Sequence, residues 1–341
     1  MQTSTNVIIN LVKSFEKSQW NYKPDFNIVK DLPIITREDI QKMDMEKGMY
    51  SCRSSGSTGE PVVVQKTIHD YIWHTATNLR ELIWRKWDFS KNFAIIKPVY
   101  KNMSTMSGWG FPQALFPNQG QIYKIGFEPI DTIQSWLEHL NPHYIQSYPS
   151  IIEQIDKSKI SNFIDAKSTG EKGGTMYSSE ECGTIAISCP DNPQNYHVME
   201  NQLVETDSEG HAIITTINNK YIKRYKIGDI IELGECSCGR TLQTITKIHG
   251  RVRNFFVMPD GRKKWPLVGS IHFYQRYGIR QFKAIQHGLN DLEIQVIKTK
   301  DFPEDELKKT VSDALDSKIN IRITYVTAFP NYKHEEFVSL L

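Results

Sequence analysis

The stretch that decides the fold is Arg53-Ser54-Ser55-Gly56-Ser57-Thr58-Gly59-Glu60-Pro61, which stands directly before the apolar run Val62-Val63-Val64. Glycines tolerate positive φ, so successive backbone N–H groups of such a stretch can point inward and, with the hydroxyl groups, surround a phosphate. A flexible Ser/Gly connector has the same composition. Both interpretations stay open on this segment alone, and the rest of the chain has to decide between them.

Length and composition favour a two-domain protein that acts on small molecules. A chain of 341 residues exceeds what one hydrophobic core usually supports. Its 41 basic and 39 acidic side chains nearly balance, which argues against a nucleic-acid binder and against a membrane-surface patch. The sequence has no apolar run of about 18 residues and no signal-peptide core, so we expect a cytoplasmic protein. Five cysteines, an odd number, do not indicate a disulfide framework.

The hydrophobic pattern of the first 250 residues is that of an α/β domain. Apolar residues at helical spacing predict a helix that ends near Asp88, and the run Phe93 to Ile96 predicts a buried strand after it. The residues of the helical face are Ile72, Ala76, Leu79, Leu82 and Ile83. Short strand-like runs between Thr184 and Ile248 indicate an antiparallel β region. We expect the aromatic residues Trp109, Phe111 and Phe116 to pack in the core rather than line a pocket.

A second, smaller domain is predicted after Gly250-Arg251-Val252-Arg253-Asn254. The pattern there indicates a hairpin that turns at Gly288 to Asp291, a helix near Leu307, and a strand that alternates from Ile319 to Tyr325. The predicted fold is therefore a large α/β N-terminal domain at residues 1–250, with mixed sheets, packed helices and an antiparallel β region. A small α+β C-terminal lid domain at residues 251–341 follows it.

Two further segments carry chemical groups that suit a nucleotide. Tyr177-Ser178-Ser179-Glu180 follows a glycine-rich turn, and a carboxylate close to phosphates needs a bridging Mg²⁺, which prefers oxygen ligands. Gly228-Asp229 stands before a predicted strand, where a carboxylate can accept hydrogen bonds from a ribose diol. Each segment alone is also compatible with an ordinary surface turn.

Taken in order, these segments resemble the motif set of the adenylate-forming superfamily, most closely its phenylacetate-CoA ligase-like branch. The matching segments are Ser54 to Pro61, Tyr177 to Glu180, Arg224 to Asp229, and Gly250-Arg251. Further matches are Leu32-Pro33, Thr36-Arg37-Glu38-Asp39, Tyr148-Pro149-Ser150, and Cys236-Ser237-Cys238-Gly239-Arg240. The resemblance extends from about Asp31 to Lys333 and implies the adenylate-forming enzyme fold.

The resemblance implies a role for each matching residue. The ATP phosphates would be held by Ser54, Ser55, Gly56, Ser57, Thr58 and Gly59. Ser178 and Ser179 replace the family's usual glycine and threonine, and the Ser179 hydroxyl would contact the AMP phosphate. Tyr177 would lie near the adenine and Glu180 near Mg²⁺, while Gly170-Glu171 would shape the nucleotide pocket. Asp229 would bind the ribose, with a further contact from Arg251. Lys333, in Phe329-Pro330-Asn331-Tyr332-Lys333, would enter the site during adenylation.

The implied reaction is ATP-dependent activation of a carboxylic acid. The acid attacks the α-phosphate, which gives an acyl adenylate and pyrophosphate, and the acyl group passes to a thiol of CoA or of a carrier-protein pantetheine. Two alternatives stay open: an amide ligase with an amine acceptor, and a degenerate nucleotide-binding module without catalysis. A P-loop NTPase is set aside, because no Gly-Lys-Ser/Thr follows the glycines.

Cys189, His197, Cys236 and Cys238 have the composition of a Cys₃His zinc site, with a Cys-x-Cys pair at its end. Buried free cysteines are the alternative interpretation. The resemblance also implies a structural metal at this place, and four protein ligands would leave it no open position for substrate.

Three departures from the family pattern affect the predicted site. Glu60 stands where a lysine is common, which removes a direct cationic contact to pyrophosphate. Lys226 and Ile227 replace the usual arginine and threonine of the ribose motif. Five residues connect Glu171 to Tyr177, where relatives have a helix, and we expect this shortening to open one wall of the nucleotide or acyl pocket.

Overall fold

The computed structural model describes residues 2–53, 62–97, 100, 103–111, 115–126, 128–168, 174–251, 256–264, 276–315, 317–329 and 337–340. The chain divides into two units, Met1–His249 and Gly250–Leu341. The division falls within one strand, Thr244–Arg251.

The helices of the first unit are α1 (Gln2–Ser18), α2 (Arg37–Lys42), α3 (Ile68–Trp84), α4 (Ile130–Leu140) and α5 (Pro149–Gln154), with 3-10 turns at Phe26–Ile28 and Lys157–Lys159. Capping boxes begin α2 and α3: the hydroxyl of Thr36 or Thr67 accepts from the backbone N–H of Asp39 or Asp70, whose carboxylate accepts in return. The spacing of Thr36 and Asp39 in the sequence predicts a helix that begins with such a box, and the structure confirms it.

A hairpin and a five-stranded sheet form the first half of this unit. Strands β1 (Tyr50–Arg53) and β2 (Val63–Lys66) pair antiparallel on either side of residues 54–61. The sheet contains β3 (Phe93–Ile96), β4 (Ser104–Ser107), β5 (Gln121–Ile125), β6 (Tyr144–Ser147) and β7 (Asp165–Ser168), in the order β4-β5-β3-β6-β7. Only β4 runs antiparallel to its neighbour. The predicted strand Phe93 to Ile96 is therefore central and buried.

A seven-stranded sheet forms the second half. Its strands are β8 (Met176–Ser179), β9 (Gly183–Ser188), β10 (Tyr196–Val198), β11 (Gln202–Thr206), β12 (His211–Thr216), β13 (Tyr225–Gly234) and β14 (Thr244–Arg251). Their order is β11-β12-β13-β14-β10-β9-β8. The pairs β8–β9, β9–β10, β10–β14, β11–β12 and β12–β13 are antiparallel, as the sequence predicted. One apolar cluster, which includes Val64, Ile185, Ile214 and Ile245, lies against it.

The second unit is an α+β structure of its own. It contains β15 (Phe256–Val257), β16 (Lys263–Lys264), β17 (Ile279–Gly288), β18 (Asp291–Lys298), α6 (Glu304–Leu315), β19 (Asn320–Tyr325) and β20 (Phe337–Ser339). The order β19-β18-β17-β20 forms a four-stranded sheet, and β17 and β18 make the hairpin predicted at Gly288. Leu307 and Val311 of α6 bury their side chains in the core of this unit.

Two details of α3 differ from the sequence prediction. The helix ends at Trp84 rather than near Asp88, because the chain turns at Lys86, whose φ is 56°. Ile83, assigned to the apolar face, is 38% exposed, whereas Leu79 and Leu82 are buried. The aromatic prediction is correct: Trp109 is buried, and Phe111 and Phe116 pack against the same cluster. Within the described residues, no helix has the length and apolarity needed to cross a membrane.

Candidate active site

Tyr177 and Asp229 form the centre of the candidate site. The Tyr177 hydroxyl donates a hydrogen bond of 2.7 Å to Oδ2 of Asp229. Tyr177 is buried at 9% exposure, and Asp229 is partly exposed. The sequence assigned these two residues to one nucleotide site, and the structure brings them together.

A bulge in β13 directs Asp229 away from the regular ladder. His211 pairs with Ile230 and Ile213 with Lys226, so three residues of β13 face one residue of β12. Gly228, inside this bulge, has a φ of +88°, which a side chain would strain. Bulges of this kind re-aim side chains near functional sites. Asp229 therefore lies within β13, and not before a strand as the sequence suggested.

The Tyr177–Asp229 bond also shows that the seven-stranded sheet is strongly curled. β8 stands four places from β13 in the strand order. In a flat sheet those strands would be about 19 Å apart, beyond the reach of two side chains. The sheet therefore closes partly on itself around the apolar cluster that contains Tyr177 and Ile231. This curvature brings the edge strand β8 close to β13, the strand that carries Asp229.

Ser179 and Glu180 lie at the end of β8, where the chain turns towards β9. The Ser179 oxygen accepts a 3.0 Å hydrogen bond from the Cys182 backbone N–H. Because the oxygen is an acceptor there, the hydroxyl proton can be donated elsewhere. The side chains of Ser178 and Glu180 are exposed. Burial raises the pKa of the nearby Cys52 thiol, and the Glu180 carboxylate adds to the increase.

The two basic residues of the ribose motif have structural partners. Arg224 forms an ion pair of 3.1 Å with Glu205 and donates a 2.7 Å hydrogen bond to the Leu32 carbonyl. Lys226 binds Asp207 at 2.8 Å. These contacts anchor the segment before α2 and the β11–β12 turn to β13. Neither side chain is directed to phosphate in this arrangement.

A group of cationic side chains, which sequence analysis missed, lies near Glu180. Lys97 follows the central strand β3, at the carboxyl edge of the parallel strands, where ligands bind in α/β sheets. With the described residues, its ammonium makes no hydrogen bond or ion pair. Burial lowers the pKa of Lys97, as does Lys167, whereas Glu180 opposes the shift. Lys66 is buried at 4% exposure and donates to the Glu181 carbonyl at 2.6 Å.

His74, on α3, faces the same cationic group. Its pKa falls to about 4, chiefly because of burial and further because of Lys97, Lys167 and Lys66. His74 as a whole residue is nevertheless exposed to solvent. No local motif marks His74 or Lys97, because only the packing of the fold brings His74 near Lys97 and Lys97 near Glu180.

The four predicted metal ligands come together in the first unit. One ligand atom from each of Cys189, His197, Cys236 and Cys238 lies within 4.8 Å of all the others. The Cys236–Cys189 sulphur distance is 3.8 Å, and Cys238 Sγ lies 3.3 Å from His197 Nε2. Tetrahedral zinc with Zn–S bonds of about 2.3 Å places its sulphur ligands about 3.8 Å apart. The geometry therefore fits zinc.

The surroundings of the cluster suit a metal with thiolate ligands. Burial lowers the pKa of His197 to about 4, as do Arg240 and Arg80, so its ring is neutral at pH 7, as a ligand must be. Burial alone would raise the pKa of Cys236, but hydrogen bonds from Asn195 and from the Cys238 backbone lower it to about 7. The Thr244 hydroxyl lies 3.3 Å from His197 Nδ1 and orients the ring.

Several predicted site residues lie outside the described residues: Ser54, Ser55, Gly56, Ser57, Thr58, Gly59, Gly170, Glu171 and Lys333. Arg251 ends β14, and the structure does not describe its side chain. Tyr177, Ser178 and Ser179 lie on β8, Glu180 directly follows β8, and Asp229 lies on β13. These residues, together with Lys97 and His74, are the part of the candidate site that the structure describes.

Comparisons with known proteins find likeness in structure. No protein-family model and no curated protein matches the chain. A 2-hydroxyisobutyryl-CoA ligase in complex with 2-HIB-AMP, in the postadenylation state, matches with a TM-score of 0.66 at 12% identity, over 98% of this chain and 89% of the ligase. An anthranilate CoA ligase in complex with anthranoyl-AMP matches with a TM-score of 0.57 at 12% identity, over 84% of this chain and 65% of that one. An acyl acid amido synthetase in complex with 2,4-DB matches with a TM-score of 0.55 at 12% identity, over 99% and 90%.

Proposed function

We propose that this chain, which has the fold of the adenylate-forming enzymes, is an ATP-dependent ligase that converts a carboxylic acid to its acyl adenylate and releases pyrophosphate. The observation that carries the proposal is the hydrogen bond between Tyr177 and the bulge residue Asp229. It joins two motifs whose residues are 52 positions apart in the sequence. The fold alone does not establish this activity, because proteins that share a fold can have different functions.

We propose that the acyl group passes next to a thiol, of CoA or of a carrier-protein pantetheine. In support, the 2-hydroxyisobutyryl-CoA ligase has been solved with its acyl adenylate and CoA together, and that structure matches with a TM-score of 0.51. An amine acceptor is the second candidate, and the match to an acyl acid amido synthetase over 99% of this chain favours it. The two differ only in the nucleophile that attacks the acyl carbon as AMP leaves.

Asp229 and Tyr177 would hold the nucleoside. A carboxylate has about four acceptor sites, so the bond from Tyr177 leaves Asp229 capacity for ribose hydroxyls. The bond also fixes the direction of the carboxylate, because the bulge places it and the tyrosine hydroxyl then orients it. The Tyr177 ring would provide a face for the adenine, and Arg251 would add a contact to the ribose.

Ser179 and Glu180 would act at the phosphates. The Cys182 N–H occupies the Ser179 oxygen as an acceptor, so the hydroxyl is poised to donate to an oxygen of the α-phosphate. Glu180, exposed beside it, would bind Mg²⁺, which offsets phosphate charge when bound. The stretch Ser54 to Gly59 would surround the leaving pyrophosphate, and Gly170-Glu171 would border the pocket.

Positive charge at the reacting phosphorus has two proposed sources in this chain. Lys333 would approach from the second unit, Gly250–Leu341, which we propose acts as a lid. Lys97 is the second, because its half-buried ammonium stands near Glu180 at the carboxyl edge of the sheet. In this proposal Lys97 binds the carboxylate of the acid and turns an oxygen towards the α-phosphate. Glu60, in place of a lysine, makes these two cations more important.

We further propose that Cys189, His197, Cys236 and Cys238 bind a structural zinc ion. The donor set, the 3.8 Å sulphur separation and the neutral His197 ring support it. With three thiolates the loaded site has a net charge of about −1, and the Arg240 guanidinium, which lies 3.9 Å from Cys189 Sγ, offsets it. The cytoplasm is the proposed location, which the five free cysteines support.

The proposal is tested by trapping the acyl adenylate. The purified protein is incubated with Mg²⁺-ATP, hydroxylamine and a panel of aryl, fatty and amino acids, and hydroxamate and AMP are measured. We expect acid-dependent formation of both in equal amounts, lost in Glu180→Gln. A protein that binds ATP but yields neither product with any acid would instead be a degenerate nucleotide-binding module. CoA added in place of hydroxylamine then distinguishes a thiol acceptor from an amine.

A further inference from the structure

Glu81 occupies an unusual place between the two sheets of the first unit. It belongs to α3, and its side chain is 1% exposed. Its two oxygens bind different partners: Oε2 forms a 2.5 Å ion pair with Lys167 of β7, and Oε1 accepts a 2.6 Å hydrogen bond from the Thr175 hydroxyl. Thr175 directly precedes β8. One carboxylate thus joins the edge strand of the five-stranded sheet to the edge strand of the seven-stranded sheet.

This buried ion pair is not needed to fill the core. Lys167 is 2% exposed, so both charges have lost their water. Apolar residues of similar volume are often as stable as a buried ion pair, or more so, because desolvation offsets most of the attraction. α3 already packs an apolar face, with Ala76, Leu79 and Leu82, against its neighbours. The pair therefore contributes a defined geometry rather than stability.

Thr175 transmits that geometry to the nucleotide site. Its backbone N–H donates to the Ser168 carbonyl at 2.8 Å, and its carbonyl accepts from the Ser188 N–H at 2.9 Å. Thr175 is thus fixed from β7, from β9 and from Glu81. Two residues later, Tyr177 donates its hydroxyl to Asp229. If Thr175 moved relative to α3, Tyr177 would move with it.

We infer that Glu81 is a positioning residue for the nucleotide site: it fixes Thr175 and, through β8, the Tyr177–Asp229 pair. This inference rests on the proposed function, since it concerns the same site. The sequence offers no sign of it, because Glu81 lies 86 positions before Lys167 and 94 before Thr175. The loss of Glu81 would weaken nucleotide binding without contact between Glu81 and the nucleotide.

The test compares two double variants that differ only in the acceptor at position 81. Both carry Lys167→Met, so that no ammonium is left buried without a partner. Glu81→Gln keeps an oxygen that accepts from Thr175, whereas Glu81→Leu removes it. We expect Mg²⁺-ATP affinity, measured by calorimetry, to be about tenfold lower in the leucine variant than in the glutamine variant, at similar Tm. Thr175→Val should show the same loss, and Thr175→Ser should not.

Arg80→Met is the matched control. Arg80 directly precedes Glu81 on α3 and forms another buried ion pair, with Glu200 at 2.6 Å, while its other nitrogen donates to the Phe15 carbonyl. It should lower the Tm and leave ATP affinity unchanged. Equal affinity of the two double variants would overturn the positioning role.

Hydrogen exchange separates this inference from the proposed function. If the wild-type protein binds no Mg²⁺-ATP, the proposed function fails, and exchange of the Met176 to Ser179 amides without nucleotide decides the role of Glu81. Faster exchange in the leucine variant than in the glutamine variant supports the positioning role. Identical exchange overturns it.

Discussion

Replacing one ligand of the Cys189, His197, Cys236 and Cys238 cluster should release the metal and loosen the end of α1. Arg240 connects the cluster to the end of α1. Its guanidinium lies 5.1 Å from the ring centres of both Trp20 and Trp84, and its Nε donates to Gln19 at 2.9 Å. Its backbone N–H and guanidinium also approach the sulphurs of the cluster. When the metal is lost, Arg240 keeps its ion pair with Asp191 but loses the negative charge of the loaded cluster.

The size of the effect follows from linkage. A metal at a free concentration about 100-fold above its Kd stabilises the fold by about 2.7 kcal/mol. For a unit of 249 residues this corresponds to a fall in Tm of about 5–10 °C when the site is destroyed. The assay is metal content and thermal unfolding of Cys238→Ser, with hydrogen exchange at Gln19 and Trp20. Cys52→Ser is the control, because Cys52 is half-buried outside the cluster.

Two results would refute this reasoning. Wild-type protein purified without chelator and containing less than about 0.1 metal ion per chain would remove the metal site, since structural sites of this type bind zinc very tightly. Loss of metal from Cys238→Ser, with Tm and exchange at Gln19 unchanged from Cys52→Ser, would remove the connection to α1.

Three further predictions concern the candidate site. Tyr177→Phe removes the hydrogen bond to Asp229 and should weaken Mg²⁺-ATP binding in calorimetry by about tenfold with little change in Tm; unchanged affinity would exclude its orienting role. Lys97→Met should lower kcat/KM for the acid by about 100-fold, and Lys97→Arg should keep part of it; equal rates for both variants and wild type would remove Lys97 from the site. His74 has a folded pKa of about 4 against 6.5 unfolded, so between these values the unfolded chain binds the proton and stability falls as pH falls. His74→Gln should flatten the dependence of Tm on pH in this range, and an identical curve would contradict the assignment.

Sequence motifs were sufficient where the chemistry is local. The strand Phe93 to Ile96, the capping box at Thr36 and the hairpin at Gly288 are encoded within a few residues, and the structure confirms them. The sequence likewise predicted the cluster of Cys189, His197, Cys236 and Cys238, and the structure brings these four residues together. In these cases short-range preference and tertiary packing agree.

The remainder depends on packing between distant segments. Glu81, Lys167 and Thr175 are unremarkable in sequence and meet only because the fold brings α3 next to Lys167 of β7 and next to the residue before β8. The bulge at Gly228-Asp229 was interpreted as a turn before a strand, since a glycine followed by an aspartate suits either. Lys97 was overlooked because a lysine after a strand is usually solvated. Only the surrounding protein shows that it is half-buried.

ATP–pyrophosphate exchange in wild type and Asp229→Asn tests the central claim most directly. Exchange requires that an acid attack the α-phosphate reversibly, so it reports formation of the adenylate without knowledge of the acceptor. We predict exchange that depends on one class of carboxylic acid, with a KM for ATP at least about tenfold higher in Asp229→Asn, because an amide accepts ribose hydroxyls less well than a carboxylate. Absence of exchange across aryl, fatty and amino acids, in protein that still binds Mg²⁺-ATP, would contradict the proposed adenylation.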